Sequence, residues 1–94
     1  MRNYAVETSP EADQDLSAFP LPLQRLVVRE LYCLAADPTA LSQPAQLLQS
    51  RGRRFYTHFP FADLVCHLEV IFQYAQSESL LYILAIGCEF VPQR

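Results

Sequence analysis

The spacing of apolar residues changes once along the chain, close to Arg53. Before that point apolar side chains recur every three or four positions, which is typical of helices that bury one face. After it, apolar and polar side chains alternate, which is typical of strands with one buried face. The pattern predicts an α+β domain with the order β-α-α-β-β-β, in which a helical hairpin packs on one face of a mainly antiparallel sheet.

The first half predicts one short strand and two helices. Tyr4 to Thr8 has strand character, and Ser9-Pro10-Glu11 then supplies an N-cap, a proline at the first helical position and an acid in the first turn. A second helix is predicted from about Pro22 to Ala36. Asp37-Pro38 stops it, because proline disfavours helical geometry in the residue before it. We expect residues 38–52 to form a loop with room for one helical turn.

The second half predicts three strands. Arg54 to Phe59 and Val65 to Tyr74 are apolar on one face only, and they form a hairpin whose tip lies near Ala62-Asp63. Gln76 to Ser79 supplies a turn before the last strand. That strand, Leu80 to Ile86, is apolar on both faces, so we expect it in the centre of the sheet.

The hairpin register follows from separating its polar and apolar residues. With the tip near Ala62-Asp63, His58 lies opposite His67 and Tyr56 lies opposite Glu69, and residues directly opposite each other share a face. A slip by one residue would mix polar with apolar side chains. The helix-facing side then holds Phe55, Thr57 and Phe59 beside Val70, Leu68 and Cys66.

The polar face of this hairpin is the candidate active site. It brings together Arg54, Tyr56, His58, His67 and Glu69. Two imidazoles beside a carboxylate suit general acid-base catalysis, such as proton exchange with an RNA 2'-hydroxyl and its leaving oxygen, with Arg54 on the phosphate. The alternative is a solvated or partner-covered face, because half-exposed strands carry alternating polar residues without any function.

Metal or cofactor chemistry has little support in the sequence. His58, His67 and Glu69 are acceptable ligand types for a metal. However, no supporting sequence spacing or second shell can be identified for them. We therefore predict neither a metal nor a cofactor.

Length and charge narrow the function further. The 94 residues fit one domain spanning 1–94, and the net charge of -3 gives no general attraction to nucleic acid. All fixed side-chain cations are arginines, which suit local phosphate contacts. Arg51, Arg53 and Arg54 cluster around Gly52 in a predicted loop and are candidates for binding nucleic acid, the alternative being a solvated turn.

The cysteines and the termini bear on cellular location. Cys33, Cys66 and Cys88 are odd in number and far apart, so we expect three reduced and mostly buried thiols. The N-terminus has no signal-peptide pattern, and no apolar run is long enough to span a membrane. These features predict a cytoplasmic protein without a membrane partner.

Three segments together resemble the RelE/ParE toxin superfamily. They are the opening segment 4–12, with its Thr-Ser-Pro-Glu-Ala helix start, and the apolar strand segments 68–72 and 82–87. The resemblance covers nearly the whole chain. It implies a type II toxin that acts on translation by cleaving ribosome-bound mRNA, or on DNA gyrase, and that a small antitoxin protein neutralises.

This sequence departs from the superfamily at the residues associated with RNA cleavage. The strand arginines of the superfamily fall near Tyr56 and His58 and at Glu69 and Ala85, none of which is arginine here. The segment Cys88-Glu89 replaces a common His-Arg pair. Ribonuclease members use such cations to stabilise developing charge. The resemblance therefore leaves two classes open, a toxin and a non-catalytic protein-interaction module derived from the same fold.

Overall fold

The computed structural model describes residues 4–45 and 52–93. In these ranges the chain forms three α-helices and five strands, with a short 3-10 turn at Gln76–Glu78 between the last two strands. None of the helices in the described ranges is long and apolar enough to cross a membrane. The elements are β1 Ala5–Thr8, α1 Pro10–Ser17, α2 Leu21–Ala36, α3 Pro38–Leu41, β2 Gln43–Pro44, β3 Gly52–Phe61, β4 Leu64–Ala75 and β5 Leu80–Pro92.

The five strands form one sheet in the order β1-β5-β4-β3-β2. β1 runs parallel to β5, and the other neighbours are antiparallel. The predicted α+β class is thus confirmed. The last strand, β5, lies inside the sheet between β1 and β4, but the central strand is β4 and not β5 as predicted. The structure adds α3 and β2 to the segment 38–52, where the sequence predicted a loop.

The hairpin register predicted from the sequence is also confirmed. His58 pairs with His67, and Tyr56 pairs with Glu69. The tip falls at Ala62 and Asp63, where Ala62 takes a left-handed φ of 56°. The core lies between the helices and one face of the sheet, and its largest fully buried side chains are Phe72, Leu23, Leu34, Leu68, Leu81, Ile83, Val27, Val70 and Cys66.

Helix α1 covers part of the outer edge of β5. β1 pairs with β5 only as far as Ile83. Beyond that point, the Ser9 hydroxyl caps the helix by accepting from the Ala12 N–H and donates to the Leu84 carbonyl, both at 3.1 Å. The Asp15 carboxylate accepts from the Ile86 N–H at 3.0 Å. Side chains of α1 thus satisfy backbone groups that would otherwise lack a ladder partner.

The last strand is longer than predicted. We expected it to end at Ile86, but β5 continues to Pro92 and pairs with β4 as far as Leu64. Gly87 and Pro92 are poor strand formers, so local sequence gave no sign of this extension. The long β4 supplies the ladder partners that stabilise it.

The prediction of three reduced, mostly buried thiols is wrong. Cys66 and Cys88 form a disulfide with a Cα–Cα distance of 6.2 Å, and Cys33 is exposed. Cys88 pairs with Leu68 in the ladder, so it shares a sheet face with Cys66 and lies diagonally across from it. This proximity depends on how β4 pairs with β5, and the sequence did not predict that pairing beyond Ile86.

Candidate functional site

The sheet face opposite the helices carries the predicted polar residues, and we call it the polar face. Tyr56, His58 and His67 are exposed on it, while Arg54 and Glu69 are half-buried. Strand alternation places them there, because their neighbours Phe55, Leu68 and others point into the core. The structure therefore brings together all five residues of the candidate active site.

The two histidines form the centre of this set. His58 and His67 are ladder partners on β3 and β4, and their rings stack with centroids 5.8 Å apart and planes inclined at 30°. Both side chains face solvent, so a substrate can reach either ring. Imidazole is the side chain that exchanges protons near neutral pH, and this pair can supply both an acid and a base.

Arg54, Tyr56 and Glu69 form a second group beside the histidines. Arg54 Nε lies 3.0 Å from Glu69 Oε2, and its guanidinium carbon lies 5.6 Å from the centre of the Tyr56 ring. The Nε atom is buried, but its N–H does not point at the carboxylate, so it has no hydrogen-bond partner among the described residues. The contact is an ion pair without a directed hydrogen bond. The positive charge of Arg54 is therefore already paired with the Glu69 carboxylate.

Glu69 also controls the ionisation of Tyr56. A hydrogen bond from the phenol to the Glu69 carboxylate raises the pKa of Tyr56 above 10.0, and burial and the carboxylate charge add to this. The nearby Arg54 guanidinium acts in the opposite direction. Tyr56 therefore keeps its proton at neutral pH, where it can donate a hydrogen bond but cannot act as a base.

The extension of β5 adds Gly87 and Glu89, two residues that were not among the predicted site residues. Gly87 pairs with Glu69, and Glu89 pairs with His67. They border an open cleft of about 450 Å³, which we call the Gly87 cleft. A methyl group built on Gly87 would meet no atom within 4 Å, so the missing side chain leaves the cleft open. Its lining residues are Tyr56, His67, Leu68, Glu69, Gly87, Cys88 and Glu89.

The arginines are not clustered in a loop as predicted. Arg53 and Arg54 lie within β3, and strand alternation sends them to opposite faces of the sheet. Arg53 donates from Nε to the Ser42 hydroxyl at 2.6 Å and from its terminal nitrogen to the Ser42 carbonyl at 2.8 Å. It thereby holds the α3–β2 connection against β3. Arg51 lies outside the described residues, and binding of nucleic acid by these arginines stays a prediction.

The described residues contain no group of three or more His, Cys, Asp or Glu side chains arranged to hold a metal ion. The side chains of this face have groups that can transfer protons and groups that can pair with a bound ion. The face carries the negative charges of Glu69 and Glu89 against the positive charge of Arg54.

Solved structures similar to this chain include chains of toxin-antitoxin complexes. The chain matches one from the RelBE2 toxin-antitoxin complex of Mycobacterium tuberculosis with a TM-score of 0.75 and 16% identity, over 95% of this chain and 94% of that chain. It matches one from the intact RelBE complex of E. coli with a TM-score of 0.63 and 8% identity, over 89% and 94% of the two chains.

A third similar structure is a double arginine-to-alanine mutant of the E. coli toxin RelE in the free state. The TM-score is 0.64 at 8% identity, over 92% of this chain and 83% of that chain. No protein-family model and no curated protein matches the sequence. The chain thus has a RelE-like toxin fold, as its resemblance to the RelE/ParE superfamily implied. At these identities the likeness establishes the fold alone, and residue roles depend on the geometry of the site.

Proposed function

We propose that this protein is the toxin-like component of a type II toxin-antitoxin system and that a small antitoxin protein neutralises it. The observation that carries the proposal is the match to the M. tuberculosis complex, which extends over nearly the full length of both chains. A fold can host several functions, so the features of this chain's own surface matter as well.

Exposed apolar side chains and an open strand edge support a protein partner. Beyond Ile86 the outer edge of β5 has no partner strand among the described residues, and such edges pair readily with another chain. Phe90 and Val91 lie on this segment and are 41% and 39% exposed. An antitoxin that adds an extended segment here would cover both the edge and the apolar side chains.

The stacked histidines favour RNA over DNA gyrase as the target. In the proposed reaction one imidazole accepts the proton of a 2'-hydroxyl, whose oxygen attacks the adjacent phosphorus. The bond from phosphorus to the 5'-oxygen breaks, and the other imidazole, in its protonated form, donates a proton to that leaving oxygen. His58 and His67 are close enough to serve the two sides of one phosphodiester, with ring centroids 5.8 Å apart. Ribosome-bound mRNA is the proposed substrate.

A non-catalytic interaction module is the second candidate. The carboxylates favour it, because Glu69 engages the charge of Arg54 and Glu89 has no ion-pair partner among the described residues. Phosphate approaching this face meets negative charge that a ribonuclease would be expected to avoid. Under this alternative the fold and the partner surface persist without RNA cleavage.

Growth on induced expression separates the two candidates. The proposed toxin should arrest growth when it is expressed alone, and co-expression of the adjacent small gene should restore growth. Harmless expression in both cases would contradict the proposal and favour the interaction module. Arrest that the adjacent gene does not relieve would exclude that gene product as the antitoxin.

A further inference from the structure

We propose that the Gly87 cleft binds the guanidinium group of an arginine side chain carried by a partner protein. The identification of that partner with the antitoxin rests on the proposed function, whereas the binding site itself does not.

The charge of the cleft calls for a cation. Glu69 lies on β4 and Glu89 lies on the neighbouring β5. Gly87 is the direct partner of Glu69, and Glu89 stands two residues further along β5, diagonally across from Glu69. Cα atoms in such a diagonal arrangement are roughly 7–8 Å apart, a span that a planar guanidinium with five N–H donors can bridge. Among residues 4–45 and 52–93, Arg54 forms its ion pair with Glu69, and Glu89 forms none, so Glu89 is open to a cation from outside.

The shape of the cleft suits a flat group. Gly87 leaves open space between the two carboxylates, because a side chain there would meet nothing within 4 Å. The aromatic residues Tyr56 and His67 line the same cleft, and the Arg54 guanidinium already lies 5.6 Å from the centre of the Tyr56 ring. Guanidinium stacks on aromatic faces and is weakly hydrated, whereas the lysine ammonium is a strongly hydrated point charge. These properties favour arginine over lysine as the occupant.

An arginine in this position would also block the proposed catalytic face. It would contact His67, which lines the cleft and stacks on His58. A substrate phosphate could then no longer reach the histidine pair from the β5 side. Insertion of one arginine would therefore neutralise the activity as well as contribute to binding.

The test is a titration of the full-length ¹⁵N-labelled protein at low salt with N-acetyl-arginine amide, followed by NMR. N-acetyl-lysine amide and inorganic phosphate serve as comparison probes. We expect saturable shifts at Gly87, Glu89 and His67, with a dissociation constant on the order of 10 mM or tighter. Lysine amide should bind more weakly, and phosphate should leave Gly87 and Glu89 unshifted.

Three variants locate the site. Gly87→Leu should abolish the shifts by filling the cleft, and Glu89→Gln should weaken arginine binding by about tenfold through loss of a charged hydrogen bond. Glu78→Gln, a matched charge removal outside the cleft, should bind like the parent protein. If Gly87→Leu fails to fold, the comparison of Glu89→Gln with Glu78→Gln decides the matter.

Several results would overturn the inference. They are an absence of saturable shifts at the cleft, equal binding of lysine and arginine amides, unchanged binding in Glu89→Gln, or stronger shifts with phosphate than with arginine amide at Gly87 and Glu89. This test contains neither RNA nor antitoxin. Growth arrest relieved by the adjacent gene, together with no arginine binding, would refute only the cleft proposal. Arginine binding without growth arrest would refute only the proposed toxin function.

Discussion

At the scale of single residues, the polar face is organised by pairwise contacts across neighbouring strands. Glu69 is the residue that links most of them, because it pairs with Arg54, accepts a hydrogen bond from Tyr56 and lies opposite Gly87. One carboxylate thus sets the ionisation of a phenol, occupies an arginine and borders the cleft. Replacing it should alter all three properties at once.

Substitution of Glu69 by Gln should lower the pKa of Tyr56. The hydrogen bond to the carboxylate is the largest cause of the raised value, and the carboxylate charge contributes in the same direction. NMR titration of the Tyr56 ring carbons between pH 8 and pH 12 would measure the change. An unchanged Tyr56 titration would contradict the effect of Glu69 on the pKa of Tyr56. Glu78→Gln serves as the control and should leave the Tyr56 titration as in the parent protein.

The raised pKa also fixes the direction of a stability effect. A folded-state pKa above the unfolded value of 10.0 means that the folded form holds the Tyr56 proton more tightly. The resulting stabilisation is complete below about pH 10 and is lost as the pH rises through the folded-state pKa. Glu69→Gln should reduce this alkaline loss of stability, which denaturant unfolding at several pH values would detect.

The disulfide predicts a simple pattern of thiol reactivity. Without reductant, alkylation of the urea-denatured protein should modify Cys33 alone, because Cys66 and Cys88 are bonded to each other. Reduction should expose three reactive thiols after unfolding and lower the free energy of unfolding by about 2–4 kcal/mol. Mass spectrometry of the adducts checks the first part. Three adducts without reductant would contradict the bond between Cys66 and Cys88.

At the scale of elements, side-chain hydrogen bonds attach α1 to β5. Ser9 links the first turn of the helix to Leu84, and Asp15 links its last turn to Ile86. The helix is only eight residues long, and a helix of this length is unstable in isolation. Its attachment to the strand therefore contributes much of its stability.

Substitution of Ser9 by Ala should destabilise the protein by about 1–2 kcal/mol. The change removes an N-cap and leaves the Leu84 carbonyl without its side-chain donor. Ser17→Ala is the matched control, because its hydroxyl is exposed and donates only to the Asp13 carbonyl of its own helix. The control should change the free energy of unfolding by less than about 0.5 kcal/mol. Urea denaturation measures both free energies of unfolding. Equal losses in Ser9→Ala and Ser17→Ala would contradict a stabilising role for the contact between Ser9 and β5.

The β3–β4 hairpin shows what the sequence can predict. Its register was readable because polar and apolar residues separate cleanly in only one alignment, and the pairs of His58 with His67 and of Tyr56 with Glu69 follow from that alignment. The candidate face could be predicted equally well, because it is formed by every second residue of these two strands.

Features that depend on long-range pairing could not be predicted in this way. Gly87 and Glu89 became part of the site through an extension of β5 that only its pairing with β4 stabilises. The same pairing brings Cys66 and Cys88 together across a sequence separation of 22. Arg53 was assigned to a loop because Gly52 and three charged residues are typical of turns, whereas β2 and β4 hold this segment in the sheet.

At the scale of the whole molecule, two separate surfaces carry the proposed function. The polar face carries the proposed chemistry, and the open end of β5 carries the proposed partner contact. Among the described residues, Phe90 lies at that end and contacts the Phe61 ring with centroids 6.2 Å apart. A partner that adds to the strand edge would bury this aromatic pair.

Substitution of Phe90 by Ser should weaken the complex with the adjacent gene product by more than about tenfold, because exposed aromatics at interfaces contribute much of the binding energy. Leu41→Ser is the matched control, since Leu41 is 46% exposed on α3 and lies outside the open end of β5. Titration calorimetry would measure both affinities. If the two variants bind equally, the partner does not use this end of the sheet.

The most direct test of the central claim, that the stacked histidines cleave RNA, is an mRNA cleavage assay on translating ribosomes. The parent protein should cleave, and His58→Ala and His67→Ala should each reduce the rate by a factor on the order of a hundred or more. Tyr32→Ala, at an exposed aromatic on α2, should cleave like the parent. No cleavage by the parent, or unchanged rates in both histidine variants, would contradict the claim.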